Sequence, residues 1–170
     1  MIIQIGWRGE TVDVKGNLPP VGEQAPDFVL TANDLTEITL SDFAGQNLVL
    51  NIFPSIDTPT CARSTRRFNE ELANLENTAV LCVSADLPYA QKRFCGAEGL
   101  DRVITASSFR SSFSEDYGVT VLTGIRRGLT ARAVVVIDAV GVVKHVELVQ
   151  EVSTEPNYQA ALSVLQLLEQ

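Results

Sequence analysis

The chain has 170 residues, of which 45% are hydrophobic, and its formal net charge at neutral pH is −8. The length and composition predict one globular domain that spans residues 1–170 and has a substantial core. The negative charge argues against nucleic acid or an anionic membrane as a partner, because both bind basic surfaces.

The start of the chain and its cysteines bear on the cellular compartment. Residues 1–7 lack the basic region and apolar segment of a signal peptide, and no apolar run approaches membrane-spanning length. These features predict a cytoplasmic protein. There, three cysteines are expected to be redox-active or buried thiols rather than a disulfide framework. With one histidine and no Cys-x-x-Cys spacing, we expect neither a metal nor a cofactor.

Short alternating segments open the chain. Residues 2–7 and 11–14 predict an N-terminal β-hairpin that lies outside the main fold, as an extension comprising residues 1–16. Residues 28–30 and 38–40 predict a second short hairpin before the first strand of the main sheet.

A strand, a helix and a second strand follow in order. The apolar run Leu48–Phe53 has no helical spacing and predicts a strand buried on both faces. Pro54 ends this strand. Thr58 followed by Pro59 predicts a helix start, because threonine caps free N–H groups and proline tolerates the first helical position. Residues 79–85 predict the next buried strand, which completes a parallel, right-handed βαβ unit.

The second half of the chain predicts a helix, a strand, a hairpin and a last helix. Their expected positions are Pro88 to about Cys95, residues 103–105, residues 133–137 paired with 142–148, and a helix opened by Thr154 and Pro156. Residues 118–129 are the least predictable segment. The order of elements is that of a thioredoxin-type α/β sheet.

Cys61 is the candidate reactive residue. With Thr58 as the N-cap, Cys61 is the third helical residue, so the threonine hydroxyl and the cysteine sulfur are expected to be close. Free N–H groups and the positive end of the helix dipole favour an anion there, and Arg63, Arg66 and Arg67 follow within two turns. These features favour a thiolate over the ordinary alternative, a small buried residue at a helix start.

The other two cysteines have different surroundings. Cys82 lies within an apolar strand, where burial raises a thiol pKa, so we expect an inert core residue. Cys95 follows Phe94 near a helix end, and it either accompanies Phe94 into the core or pairs with a reactive Cys61. A disulfide needs Cα atoms within about 7 Å, and spacing in the sequence leaves both alternatives open.

Two further polar residues border or lie within apolar strands. Arg132 precedes a strand and is compatible with a solvated strand end or with a side chain directed at the helix that carries Cys61. His145 alternates with apolar residues and is expected to be a sheet-face residue rather than a catalytic base.

Cys61 and Arg67 also match the Cys-x₅-Arg spacing of cysteine phosphatases. In those enzymes a loop of N–H groups holds phosphate, which requires glycine or another adaptable backbone. Residues 62–67 contain no glycine and are predicted to be helical, so the match is weak.

Four motifs resemble those of the bacterial thiol peroxidases, which are atypical two-cysteine peroxiredoxins. The resemblance covers almost the whole chain, including the N-terminal hairpin, and weakens between Tyr117 and Leu129. Its motifs are residues 54–61 (PSIDTPTC), 84–88 (SADLP), 93–99 (RFCGAEG) and 131–138 (ARAVVVID).

The resemblance implies a thioredoxin-like α/β fold of the peroxiredoxin type with an added N-terminal β-hairpin. It implies that Cys61 is the peroxidatic cysteine and that Cys95 is the resolving cysteine of the same chain. Thr58, Pro54 and Arg132 are implied as active-site partners. The implied enzyme is a homodimer that reduces hydrogen peroxide and organic hydroperoxides and is recycled by thioredoxin.

Substrate preference and turnover are less defined by the sequence. Apolar Ile56 and residues 119–122 are expected to line an approach to Cys61, which together with the resemblance favours alkyl hydroperoxides. A thioredoxin-like redox sensor or binding protein is the alternative from another class, since it would form the same disulfide with little turnover.

Overall fold

A computed structural model of the chain describes residues 1–72, 74–100 and 102–170. The helices within these ranges are α1 (Pro59–Glu71), α2 (Pro88–Glu98), α3 (Phe113–Asp116) and α4 (Tyr158–Leu168), and Leu40–Phe43 form a 3-10 turn. The strands are β1 (Ile3–Trp7), β2 (Glu10–Val14), β3 (Val29–Ala32), β4 (Glu37–Thr39), β5 (Asn47–Ile52), β6 (Thr78–Ser84), β7 (Val103–Ser107), β8 (Ala133–Ile137) and β9 (Val143–Leu148).

The main sheet has the strand order β4-β3-β7-β6-β5-β8-β9. β5, β6 and β7 are parallel, and β8 joins the other side of β5 in antiparallel orientation. The predicted βαβ unit and the β8–β9 hairpin are both present, while β1 and β2 form a separate antiparallel pair. The α/β class and the N-terminal hairpin are therefore confirmed.

Alternation along the central strands divides the core between the two faces of the sheet. Leu48, Leu50 and Ile52 of β5 contribute to one apolar cluster, together with Phe28, Phe113 and other residues of the first face. Val49 contributes to the second cluster, where α1 and α4 pack through residues such as Phe68 and Leu165. Because β5 is buried on both faces, its carboxyl end is a rigid support for the segment that leads into α1.

Two helix boundaries differ from the sequence prediction. α2 continues through Gly96 to Glu98 and ends at Gly99, which has a φ of +63°, so Cys95 lies inside the last turns of the helix. α4 begins at Tyr158 rather than near Thr154, because the Asn157 side chain accepts a hydrogen bond from the Ala160 N–H at 3.0 Å. The Thr154 hydroxyl instead donates to the Glu151 carbonyl at 2.7 Å.

The second predicted hairpin is part of the main sheet. β3 and β4 pair with each other, and β3 also pairs with β7, which makes this hairpin the edge of the sheet. No helix among the described residues has the length and apolar character needed to cross a membrane.

Backbone hydrogen bonds join the N-terminal hairpin to residues 118–129, the segment that the sequence leaves least predictable. Lys15 N–H donates to the Thr120 carbonyl at 3.0 Å, and Gly16 N–H donates to the Gly118 carbonyl at 2.7 Å. On its other side, Gly6 N–H donates to Gln150 at 2.8 Å. The hairpin therefore forms its own sheet, as expected, but it is anchored to the main fold along both sides.

Gly118 should be essential to this anchoring. Its φ is +69°, and a Cβ at this position would overlap the backbone of Asn17. We expect Gly118→Ala to lower the free energy of unfolding, measured by urea denaturation, by at least about 2 kcal/mol.

Gly96→Ala is the matched control. A Cβ at Gly96 meets nothing within 4 Å among the described atoms, and the residue is helical. This change should raise the free energy of unfolding by up to about 1 kcal/mol. An unchanged stability of Gly118→Ala would contradict the packing described here.

Candidate active site

Thr58 is the N-cap residue of α1. Its side chain accepts a hydrogen bond from Cys61 N–H at 3.3 Å, and Pro59 occupies the first helical position, as predicted. The Thr58 hydroxyl donates its own proton to the Ser55 carbonyl at 3.1 Å. Because that proton is engaged, a second lone pair of the hydroxyl is left for a donor that enters the site.

Arg132 contacts the Cys61 sulfur directly. Its Nη2 lies 3.3 Å from Sγ, and both residues are almost fully excluded from solvent, with exposures of 1% and 0%. Arg132 Nε donates to the Val152 carbonyl at 2.8 Å. Nη1 has no hydrogen-bond partner within the described part of the chain. The buried guanidinium thus lies directly beside the sulfur, and its N–H groups that lack a partner can donate to a bound ligand.

Strand pairing explains why Arg132 reaches this position. β8 runs antiparallel to β5, and Ala133 lies opposite Ile52, so the beginning of β8 meets the end of β5. The end of β5 leads through Pro54 into α1. Of the two alternatives for Arg132, the structure therefore supports the side chain directed at the helix that carries Cys61.

A small cavity of about 30 Å³ adjoins these residues. That volume exceeds the roughly 10–15 Å³ that one water molecule needs, so a small polar group fits inside. The residues that line the cavity are Trp7, Arg8, Pro54, Thr58, Thr60, Arg132, Val152 and Ser153.

The residues expected to line an apolar approach to Cys61 do not line this cavity. Ile56, Val119 and Val121 are buried in the core, and neither residues 119–122 nor Cys61 itself is part of the cavity lining. The wall is instead formed by Trp7 and Arg8 of the N-terminal hairpin, which the sequence interpretation placed outside the main fold.

Cys95 does not line the cavity that Thr58 and Arg132 border. Its Sγ lies 3.5 Å from Thr105 Oγ1 of β7, and it lines a groove at the sheet edge with residues such as Asn33 and Ile104. Cys61, Cys82 and Cys95 are all free thiols. The structure thus brings Pro54, Thr58, Cys61 and Arg132 together and leaves Cys95 apart from them.

Cys82 and His145 lie where the sequence predicts. Cys82 is fully buried in β6, and burial raises the pKa of its thiol to about 12. His145 is half-buried on β9 opposite Val136, and desolvation lowers the pKa of its imidazole. Neither residue lines the cavity beside Cys61.

The local backbone does not resemble a phosphate-binding loop. Residues 62–67 lie inside α1, which is one continuous helix. Arg67 Nε donates to Glu71 at 2.7 Å, and the guanidinium lies over the Tyr158 ring at 4.9 Å. Arg67 is thereby engaged on the surface of the helix, and the phosphatase alternative has no structural support.

Sequence reasoning missed two contributors to the site. Val152 acts through its backbone carbonyl, so its side chain gives no signal. Asp86 follows β6, and its carboxylate accepts hydrogen bonds from Ser55 and Ile56. The predicted parallel pairing of β5 and β6 was a usable signal for Asp86, because carboxyl ends of parallel strands meet at one edge of a sheet.

Across the described residues, no three His, Cys, Asp or Glu side chains are grouped to hold a metal ion.

Comparison with known proteins gives consistent matches along the chain. The Redoxin family profile matches residues 20–162. A thiol peroxidase of Mycobacterium tuberculosis is 56% identical over 162 residues, which cover 95% of this chain and 98% of that protein. A thiol peroxidase of Corynebacterium glutamicum is 50% identical over 159 residues, with coverages of 94% and 96%.

A solved structure agrees over the same extent. The crystal structure of a peroxiredoxin-like protein from Aquifex aeolicus superposes with a TM-score of 0.92 at 38% identity and covers 98% of both chains. This agreement confirms the thioredoxin-like fold of the peroxiredoxin type that the sequence predicts.

Replacing Cys82 should affect stability rather than the reactive thiol. Cys82→Ser places a hydroxyl in an apolar strand, so we expect the free energy of unfolding to fall by about 1–3 kcal/mol. The rate at which iodoacetamide alkylates Cys61 should stay within about twofold, because the Cys82 sulfur is hydrogen-bonded to Asn51, whereas Thr58 and Arg132 are the residues that contact Cys61. A large loss of Cys61 alkylation with unchanged stability would assign Cys82 to the site instead.

Proposed function

We propose that Cys61 is the peroxidatic residue of this protein, because the chain belongs to the Redoxin family. Relatives named thiol peroxidases at 50–56% identity over nearly the whole chain make it a thiol-dependent peroxidase of the peroxiredoxin type. The observation that carries the assignment to Cys61 is the 3.3 Å contact between its sulfur and the buried guanidinium of Arg132.

The first step is attack by the Cys61 thiolate on the terminal oxygen of the peroxide. An S–O bond forms while the O–O bond breaks, so sulfur is oxidised to a sulfenic acid and the peroxide is reduced. The leaving oxygen takes up a proton and departs as water or an alcohol. The 30 Å³ cavity accommodates the peroxide group itself, while the organic part of a hydroperoxide would extend outward past Trp7 and Arg8.

Ionisation of the thiol accounts for a limited part of the acceleration. A free cysteine is a few per cent ionised at neutral pH, so complete ionisation raises the rate about 30-fold, or about 2 kcal/mol. Any larger acceleration requires donors aimed at the oxygen on which charge develops. Arg132 Nη1 has no partner among the described residues and is suited to this role.

Thr58 and Pro54 have complementary roles in this proposal. The Thr58 hydroxyl donates to Ser55 and can accept a hydrogen bond from the O–H of the peroxide, which holds that terminal oxygen facing the sulfur. Pro54 is buried, lines the cavity and offers no N–H, so it excludes water without competing for the peroxide.

Cys95 completes the oxidative half of the cycle. Its sulfur attacks the sulfenic sulfur of Cys61, an S–S bond forms, and the hydroxyl leaves as water. Because Cys95 now contacts Thr105, one of the two sulfurs must leave its observed position first. Movement of the last turns of α2, which end at Gly99, would bring Cys95 toward Cys61.

A dithiol protein of the thioredoxin type would then return the enzyme to its reduced form. Thiol–disulfide exchange transfers two electrons and leaves Cys61 and Cys95 as thiols. We further propose that the protein is a cytoplasmic homodimer, that hydrogen peroxide and organic hydroperoxides are both substrates, and that alkyl hydroperoxides are preferred. The net charge of −8 is consistent with a partner other than nucleic acid.

Arg132→Met should slow oxidation of Cys61 by more than ionisation explains. We expect a loss of more than about 30-fold in the second-order rate constant with hydrogen peroxide at neutral pH. Stopped-flow measurement at a pH where both proteins are fully ionised should still show a loss of about tenfold or more.

Arg127→Met is the control for loss of positive charge, because Arg127 is exposed and lies outside the cavity. Its rate should match that of the parent protein. Equal rates for Arg132→Met and the parent at full ionisation would show that Arg132 acts only by favouring the thiolate.

The function itself is tested by a coupled assay with thioredoxin, its reductase and NADPH. The parent protein should consume NADPH continuously with hydrogen peroxide and with cumene hydroperoxide. Cys95→Ser should consume one equivalent of peroxide and then stall as a sulfenic acid. A redox sensor would form the disulfide in the parent protein but show little sustained NADPH oxidation. Normal turnover by Cys95→Ser would exclude resolution by Cys95.

A further inference from the structure

We infer that Asp86 is a positioning residue for the peroxide reaction, acting through Ser55 and Thr58 on the donor set beside Cys61. This inference rests on the proposed function. Asp86 is not among the described residues that line the cavity, and it makes no contact with sulfur in the hydrogen-bond network, so any effect on the reaction must be indirect.

The carboxylate of Asp86 holds the segment between β5 and α1. Oδ1 accepts a hydrogen bond from the Ser55 hydroxyl at 2.7 Å, and Oδ2 accepts one from the Ile56 N–H at 2.6 Å. Oδ2 also accepts from the Ser84 hydroxyl at 2.6 Å. Hydrogen bonds to an ionised acceptor are stronger than neutral ones, so this clamp restricts the segment more than a neutral side chain would.

From Ser55 the constraint passes to Thr58. The Ser55 carbonyl accepts from the Thr58 hydroxyl at 3.1 Å and from the Thr58 N–H at 3.2 Å. The same hydroxyl accepts from Cys61 N–H. The direction of the remaining Thr58 lone pair is therefore set by Ser55, whose position is set by Asp86.

The clamp is fixed to rigid elements on its other side. Ser84 is the last residue of β6, and its hydroxyl also accepts from Gln91 Nε2 of α2 at 3.0 Å. Gln91 is 1% exposed and donates to the Ala106 carbonyl of β7 at 3.0 Å. Asp86 thus joins the turn before α1 to two strands and a helix, which is the arrangement expected of a residue that preorganises a site.

A double-mutant cycle separates this role from a general structural one. All variants carry Cys95→Ser, so that oxidation of Cys61 is observed without resolution. The second-order rate constant with hydrogen peroxide is measured by stopped-flow fluorescence of Trp7, the single tryptophan, and checked by trapping the sulfenic acid with dimedone. Asp86→Ala is compared in the Thr58 background and in the Thr58→Val background.

With Thr58 present, Asp86→Ala should lower the rate constant about 10-fold or more, the range seen when supporting residues of a site are removed. In Thr58→Val, where the oriented hydroxyl is already absent, the same change should cost less than about threefold. Asp86→Asn keeps the shape of the side chain and should give a smaller loss. Ser55→Ala removes one arm of the clamp and replaces Asp86→Ala in the cycle if that variant does not fold.

Asp138→Ala is the matched control. Asp138 is also a turn carboxylate that accepts backbone hydrogen bonds, from Val140 and Val142, and it follows β8 at the other end of the sheet. It should leave the rate constant unchanged. An equal loss from Asp86→Ala in both backgrounds would overturn the inference and assign Asp86 a structural role. If the parent chain itself is not oxidised by peroxide, the proposed function fails instead.

Discussion

The contact between the Arg132 guanidinium and the Cys61 sulfur is the interaction on which the rest of the site depends. Both groups are removed from water, and a buried cation is costly unless an anion or several acceptors surround it. Among the described residues, the Cys61 sulfur and the Val152 carbonyl are the hydrogen-bond partners of the Arg132 guanidinium. In the reaction proposed above, the arginine would stabilise the attacking sulfur of Cys61, and the negative charge on that sulfur would offset the cost of burying the arginine.

Three separate parts of the chain must meet for this contact to exist. Antiparallel pairing of β5 with β8 brings Arg132 to the start of α1. The turn at residues 150–153 provides the Val152 carbonyl, and the N-terminal hairpin holds that turn in place. Val152 N–H donates to the Gly6 carbonyl at 2.9 Å, and the Glu151 carboxylate accepts a hydrogen bond from the Arg8 N–H at 3.1 Å. The hairpin is thus a wall of the site and a support for the residue that binds Arg132.

Local features of the site were predictable, and features that depend on tertiary contacts were not. The Thr58-Pro59 cap, the buried β5 and the inert Cys82 follow from short stretches of sequence and agree with the structure. The direction of the Arg132 side chain could not be predicted, because it depends on the register between β5 and β8. The contribution of the N-terminal hairpin to the site could not be predicted, since the hairpin contacts residues more than a hundred positions away in the sequence. The α4 boundary was missed because both Thr154 and Asn157 are capping residues, and only geometry distinguishes them.

The most direct measurement is the mapping of the disulfide formed after addition of one equivalent of hydrogen peroxide to the reduced protein. Peptide mass spectrometry should identify a bond between Cys61 and Cys95, with Cys82 recovered as a free thiol that becomes alkylated only after unfolding. A disulfide that includes Cys82, or oxidation that leaves Cys61 as a thiol, would contradict the assignment of Cys61 as the attacking residue.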